Sequence, residues 1–194
     1  MRYAFFLLLA LAACAEAPVE SPPHDPEADR LLASVTGDAW DAAWTTASAR
    51  PLVFERPGGE TLDTLPPNPL PAFLSDEPPF LDAAAREQYE TRVLGDTTLA
   101  GQLATLVSAR FVADSRRTQP IRSVRAAVTA SGTLLWIDVQ RESESVLFDE
   151  DSRLRAGLAV AEDAFVPGFA EVTTRTDVPA SDARDLSTSW SLAR

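Results

Sequence analysis

The stretch Ile121-Arg122-Ser123-Val124-Arg125-Ala126-Ala127-Val128-Thr129-Ala130-Ser131-Gly132-Thr133-Leu134-Leu135-Trp136-Ile137-Asp138-Val139-Gln140-Arg141 decides the fold. Its apolar residues recur at every second position, the period of a half-buried strand. Ser131-Gly132 suits a two-residue turn, and pairing residues whose numbers sum to 263 sets Val124 opposite Val139, Ala126 opposite Ile137 and Val128 opposite Leu135. One face is then apolar throughout. The other face, which played no part in choosing the register, brings Arg125 opposite Asp138 and small Ala127 opposite Trp136, and opposite charges across strands are the favourable case. At the open end the same register sets Arg122 against Arg141, a like-charge contact.

Outward from this hairpin, further strands are expected over residues 145–148, 170–176 and 186–192, with a helix or strand over 154–161. Asp149-Glu150-Asp151 reads as a solvated turn, because it lacks the glycine and alternating ligands of a calcium loop. Before the hairpin, residues 82–94 read as a helix, with Leu81, Ala85, Tyr89 and Val93 at four-residue steps and Gly95 at its end. A second helix follows from Asp96 or Thr97, with a stripe of Leu99, Leu103, Leu106, Val107 and Phe111, so the two form an antiparallel helical pair. Residues 52–55 and 60–62 around Pro57-Gly58-Gly59 read as a small hairpin. Asp29 caps a helix through Thr36, and after Gly37 a second helix begins at Asp38. Trp40 and Trp44 share a face of that second helix. They form a candidate aromatic surface for a carbohydrate or lipid, or more simply a piece of core.

The fold expected is α+β, helices first and then an antiparallel sheet built around residues 121–141. Its order loosely resembles NTF2-like cone folds, an analogy without functional content. Residues 28–194 read as a single domain. Within it, residues 65–80 carry six prolines, which forbid regular helix or central strand and leave a surface strap.

The chain starts with Met1-Arg2 and an apolar run from Tyr3 to Leu11, the layout of a signal peptide over residues 1–13. Leu11-Ala12-Ala13-Cys14 resembles the lipobox of bacterial lipoproteins. That resemblance implies cleavage before Cys14, with a diacylglycerol on its sulfur and an acyl chain such as palmitate on its new amino group. The lone cysteine of an exported chain has no disulfide partner, which agrees, and two or more chains give stable anchoring. Residues 14–27 then read as a proline-rich tether that carries the only histidine, His24, for which a metal role is disfavoured. Ala15 is not the Asp that retains many lipoproteins in the inner membrane, so the outer membrane of the cell envelope is the expected location.

All 17 basic residues are arginine, against 29 acids, for a net charge of −12; losing Arg2 with the leader makes it −13. Such a surface repels nucleic acid. With Cys14 acylated and His24 in the tether, Cys-His and Ser-His-Asp catalysis and a His or Cys zinc site in the domain are excluded. The absence of lysine excludes a Schiff base, no nucleotide motif is present, and no cofactor or metal is expected. One asymmetry stands out: Arg110, Arg116, Arg117, Arg122 and Arg125 lie in 16 residues that hold one acid, Asp114. Arginine forks suit carboxylate and phosphate, which makes Arg110, Arg116, Arg117 and Arg122 a candidate anion or partner site. The function expected is a non-enzymatic, lipid-anchored binding module for an envelope protein or glycan. The alternative is a carboxylate-dependent hydrolase of envelope polysaccharide, which needs two acids about 5 to 10 Å apart in a cleft.

Overall fold

Strand pairing organises nearly everything in the computed structural model, which describes residues 22–47, 54–55, 61–62, 83–112, 121–144, 149–177 and 186–192. In chain order the elements are helices α1 (Pro26–Ser34) and α2 (Asp38–Ala47), strands β1 (Phe54–Glu55) and β2 (Thr61–Leu62), and a single helical turn α3 (Ala83–Arg86). Strands β3 (Tyr89–Leu99), β4 (Gln102–Phe111), β5 (Ile121–Val128), β6 (Leu134–Glu144), β7 (Asp149–Ala161), β8 (Ala164–Asp177) and β9 (Leu186–Leu192) follow. Each strand from β3 to β9 pairs antiparallel with the next, and the small β1–β2 hairpin joins the far edge of β9. The class is α+β, with six long strands, β3 to β8, as its body.

The hairpin β5–β6 keeps the expected register over its centre, with Val124 opposite Val139, Arg125 opposite Asp138, Ala126 opposite Ile137 and Ala127 opposite Trp136. Both of its ends depart from it. A bulge at Arg122 moves Ile121, not Arg122, opposite Arg141, and Arg122 donates to Glu142 at 3.1 Å, which removes the like-charge contact. At the closed end Val128 pairs with Leu134 in place of Leu135, and the turn widens to Thr129-Ala130-Ser131-Gly132, closed by Gly132 N–H donating to Thr129 at 2.9 Å.

The helical pair expected before the hairpin is instead a pair of strands. Residues 83–86 make one turn of helix, and β3 and β4 pair from Tyr89 opposite Phe111 to Leu99 opposite Gln102. Gly95 marks a bulge within β3 and ends no helix. The turn Ala100-Gly101 has positive φ at both residues, 49° and 72°, the geometry of a two-residue hairpin turn. The helical stripe fails at Leu103, which is 71% exposed. What wins is the alternation Val107-Ser108-Ala109-Arg110-Phe111, whose apolar members continue the buried face of β5. Residues 154–161 are strand, within β7. The acids 149–151 open that strand and form no turn, β8 and β9 contain the expected strands 170–176 and 186–192, and residues 65–80 and 145–148 lie outside the described residues.

Helices α1 and α2 cover one face of the sheet. Ala28, Leu31, Leu32, Trp40, Ala43 and Trp44 pack there on Val107, Ala126, Ile137, Val139, Leu154 and Ala156. Each large side chain buried this way contributes about 1.5–3 kcal/mol. Trp40 and Trp44 are 1% and 0% exposed with ring centroids 6.0 Å apart, so they form core and not an aromatic binding surface. Among the described residues, apolar packing on the opposite face lies near the β3–β4, β5–β6 and β7–β8 turns, around Ala104, Ala127, Leu135 and Trp136.

The start of the domain lies earlier than expected. Asp25, not Asp29, caps α1, its carboxylate accepting from Glu27 and Ala28 N–H at 2.9 and 3.3 Å. The other carboxylate oxygen accepts from Val93 N–H at 3.1 Å, and Thr91 N–H donates to the Pro23 carbonyl at 3.1 Å. Residues 23–27, assigned from sequence to the tether, are therefore fastened to β3 and α1. His24 faces Asp29 at 3.2 Å.

Candidate functional site

Registers from β3 to β8 place two parallel rows of polar residues on the face opposite the helices. One row runs Glu90, Arg110, Ser123, Gln140, Arg153 and Thr173; the next runs Arg92, Ser108, Arg125, Asp138, Arg155 and Glu171. In a chain of net charge −12, these two rows hold five arginines against three carboxylates.

Two buried acids organise the arginines. Glu90, 7% exposed at its side chain, is gripped by Arg110 at 2.7 Å and by Arg92, whose side chains are 68% and 67% exposed. Asp138 is held by Arg125 and by a two-pronged fork from Arg153 at 2.8 and 2.7 Å. The Arg110 hydrogen bond holds the Glu90 carboxyl below the usual range. Burial alone would raise the Asp138 carboxyl, but the Arg153 and Arg125 hydrogen bonds outweigh it and hold it low. Both carboxylates are ionised at neutral pH, accept hydrogen bonds only, and are unsuited to act as general acids. Arg155 and Glu171 continue the row at 3.4 Å.

Between β3, β4 and β5 this face opens into a groove of about 380 Å³ lined by Glu90, Arg92, Ser108, Arg110, Ser123 and Arg125. Three lining groups are cationic and one is anionic, and the guanidinium arms reach into solvent from a rigid, paired backbone. Such a site offers charge-assisted donors and two hydroxyls to an anion. Among the described residues its lining contains one carboxylate, Glu90, where glycoside hydrolysis uses a pair.

Of the arginines named from sequence, Arg110 lines the groove. Arg122 does not: it is mostly buried, pairs with Glu142 and stacks 5.2 Å from the Phe111 ring centroid. Arg116, Arg117 and Cys14 lie outside the described residues. Arg92 and Ser108 were missed because they reach the site through β3–β4 pairing. The signal was present, since residues summing to 200 pair Glu90 with Arg110 and Arg92 with Ser108.

Fold and site together define a helix-backed antiparallel meander that carries an arginine-lined groove. No protein-family model matches the chain, and searches of curated proteins and of solved structures return no match.

Proposed function

We propose that this protein is a lipid-anchored component of the bacterial cell envelope, more specifically of the outer membrane, that binds an anionic ligand or partner through its charged sheet face without catalysing a reaction. The observation that carries the binding half is the groove: three arginines line it in a strongly acidic chain, while the one carboxylate among its described lining residues, Glu90, is held low by two of them. The anchoring half rests on Leu11-Ala12-Ala13-Cys14. No helix among the described residues is long and apolar enough to cross a membrane, and in this reading the acyl chains on Cys14 do the holding.

Cys14 and the docked Pro23 are separated by a leash that spans at most about 30 Å. Pro23 and Asp25 bond to Thr91, which sits between the groove residues Glu90 and Arg92. An anchored domain thus keeps its groove beside the point where the leash arrives. The loose NTF2-like order rests only on helices preceding an antiparallel sheet and adds nothing to this reading.

Thermal denaturation in a series of acetate, sulfate, phosphate and polyphosphate tests the binding half. A ligand that binds the folded state raises the melting temperature by mass action. The expected result is a saturable, salt-sensitive rise with at least one anion that disappears in Arg110→Gln. No rise with any anion refutes it.

A further inference from the structure

The next step rests on the anion-binding reading and narrows its ligand. We infer that the groove is a phosphoryl-binding site centred over Ser108, with Arg92, Arg110 and Arg125 as its arms. Arg92 and Arg125 flank Ser108 in one row from the strands on either side, about 10 Å apart at the backbone, two strand spacings. Arg110 stands two residues further along β4, with Ser123 beside it on β5. Arg92 and Arg110 donate to Glu90 and Arg125 to Asp138, and all three line the groove together with Ser108.

A carboxylate is planar and presents two acceptor oxygens, which in Asp138 take Arg153 and Arg125. A phosphoryl group is tetrahedral, presents three acceptor oxygens and carries up to about two negative charges. Three arms from three strands over a hydroxyl floor match that shape, and three arginines with one glutamate leave a local excess of two positive charges. Arg92 and Arg110 both reach Glu90 with exposed guanidiniums, so either can turn to a ligand while the other keeps the buried carboxylate paired. The surrounding chain repels a long polyanion, which restricts the ligand to a small phosphate or a single headgroup.

The test is isothermal titration of the full-length protein, in non-ionic detergent at low salt, with inorganic phosphate, acetate and glycerol 3-phosphate, a soluble phosphomonoester of headgroup chemistry. Phosphate should bind at one site and acetate more weakly. Arg92→Gln, which leaves Glu90 with Arg110, should weaken phosphate binding roughly tenfold or more, the loss of one charge-assisted hydrogen bond. Arg30→Gln, on α1, should leave it unchanged. Equal binding of glycerol 3-phosphate identifies a phosphomonoester headgroup as the source, and binding of inorganic phosphate alone identifies a soluble one; both outcomes support the site. Acetate binding as tightly as phosphate overturns the phosphoryl assignment and leaves the anion reading standing. Phosphate binding untouched by Arg92→Gln and Ser108→Ala overturns the location, and no binding of any anion overturns both readings.

Discussion

Replacing Gly132 with alanine probes how α1 is fastened to the sheet. Gly132 has φ of +85°, and a Cβ there would run into the Ser34 carbonyl at the end of α1, 2.9 Å from its carbon. Thr36 N–H donates to the Gly132 carbonyl at 3.0 Å, locking the helix exit to the β5–β6 turn. Left-handed backbone costs a residue other than glycine about 1–2 kcal/mol. The lost hydrogen bond adds about 1 kcal/mol, and pushing the carbonyl aside adds about 1–2 kcal/mol. Gly132→Ala should therefore lose about 3–5 kcal/mol. Gly101 is the control: φ is +72°, but nothing lies within 4 Å of its Cβ position, so Gly101→Ala pays for backbone strain alone, about 1–2 kcal/mol. Urea unfolding followed by tryptophan fluorescence reports both, since Trp40 and Trp44 lie on the neighbouring α2. Equal losses in the two variants would refute the fastening of α1 through Ser34.

Three further outcomes follow from the buried polar contacts. Asp138→Asn removes the carboxylate from two arginines and should cost about 1–3 kcal/mol at neutral pH by urea unfolding; because the arginines hold the folded carboxyl below the usual carboxylate range, its contribution is full above that range and fades as pH falls through the lower folded value, so wild type and variant should converge in acid. Asp25 is likewise held low, chiefly by the Val93 N–H, and Asp25→Asn should flatten the decline of the urea midpoint below about pH 4, whereas an unchanged acid profile would show that the cap contributes nothing through its charge. Tyr89 donates to the Ile121 carbonyl at 2.7 Å and meets Phe111 edge-on, so Tyr89→Phe should keep the ring contact and lose about 1 kcal/mol in thermal or urea denaturation.

The β5–β6 hairpin was legible because its period of two, its turn glycine and its cross-strand charges all agree. Its bulge was legible only as a conflict between Arg122 and Arg141, since a bulge inserts a residue without changing the alternation that marks the strand. Residues 89–111 were misread because Leu and Ala at four-residue steps also fit a helix. Thr91, Val93, Thr97 and Thr98 favour strand, and the exposed edge of β5 needed an apolar neighbour, which decided the matter in favour of pairing. The candidate site shared that fate. Arg110 and Arg125 stand in one run of arginines close in sequence, but Arg92 and Ser108 join them only through the β3–β4 and β4–β5 registers, and without the correct β3–β4 pairing no local pattern unites the four. Arg122 was close in sequence and is diverted by its bulge to Glu142 and Phe111.

The most direct measurement of whether the charged sheet face is the binding surface is an NMR titration of the arginine Nε–H signals with inorganic phosphate. The signals of Arg92, Arg110 and Arg125 should shift together and saturate with a single affinity, while that of Arg30, paired with Glu27 on α1, stays in place. Shifts spread evenly over all arginines, or none at these three, would contradict a binding site in this groove.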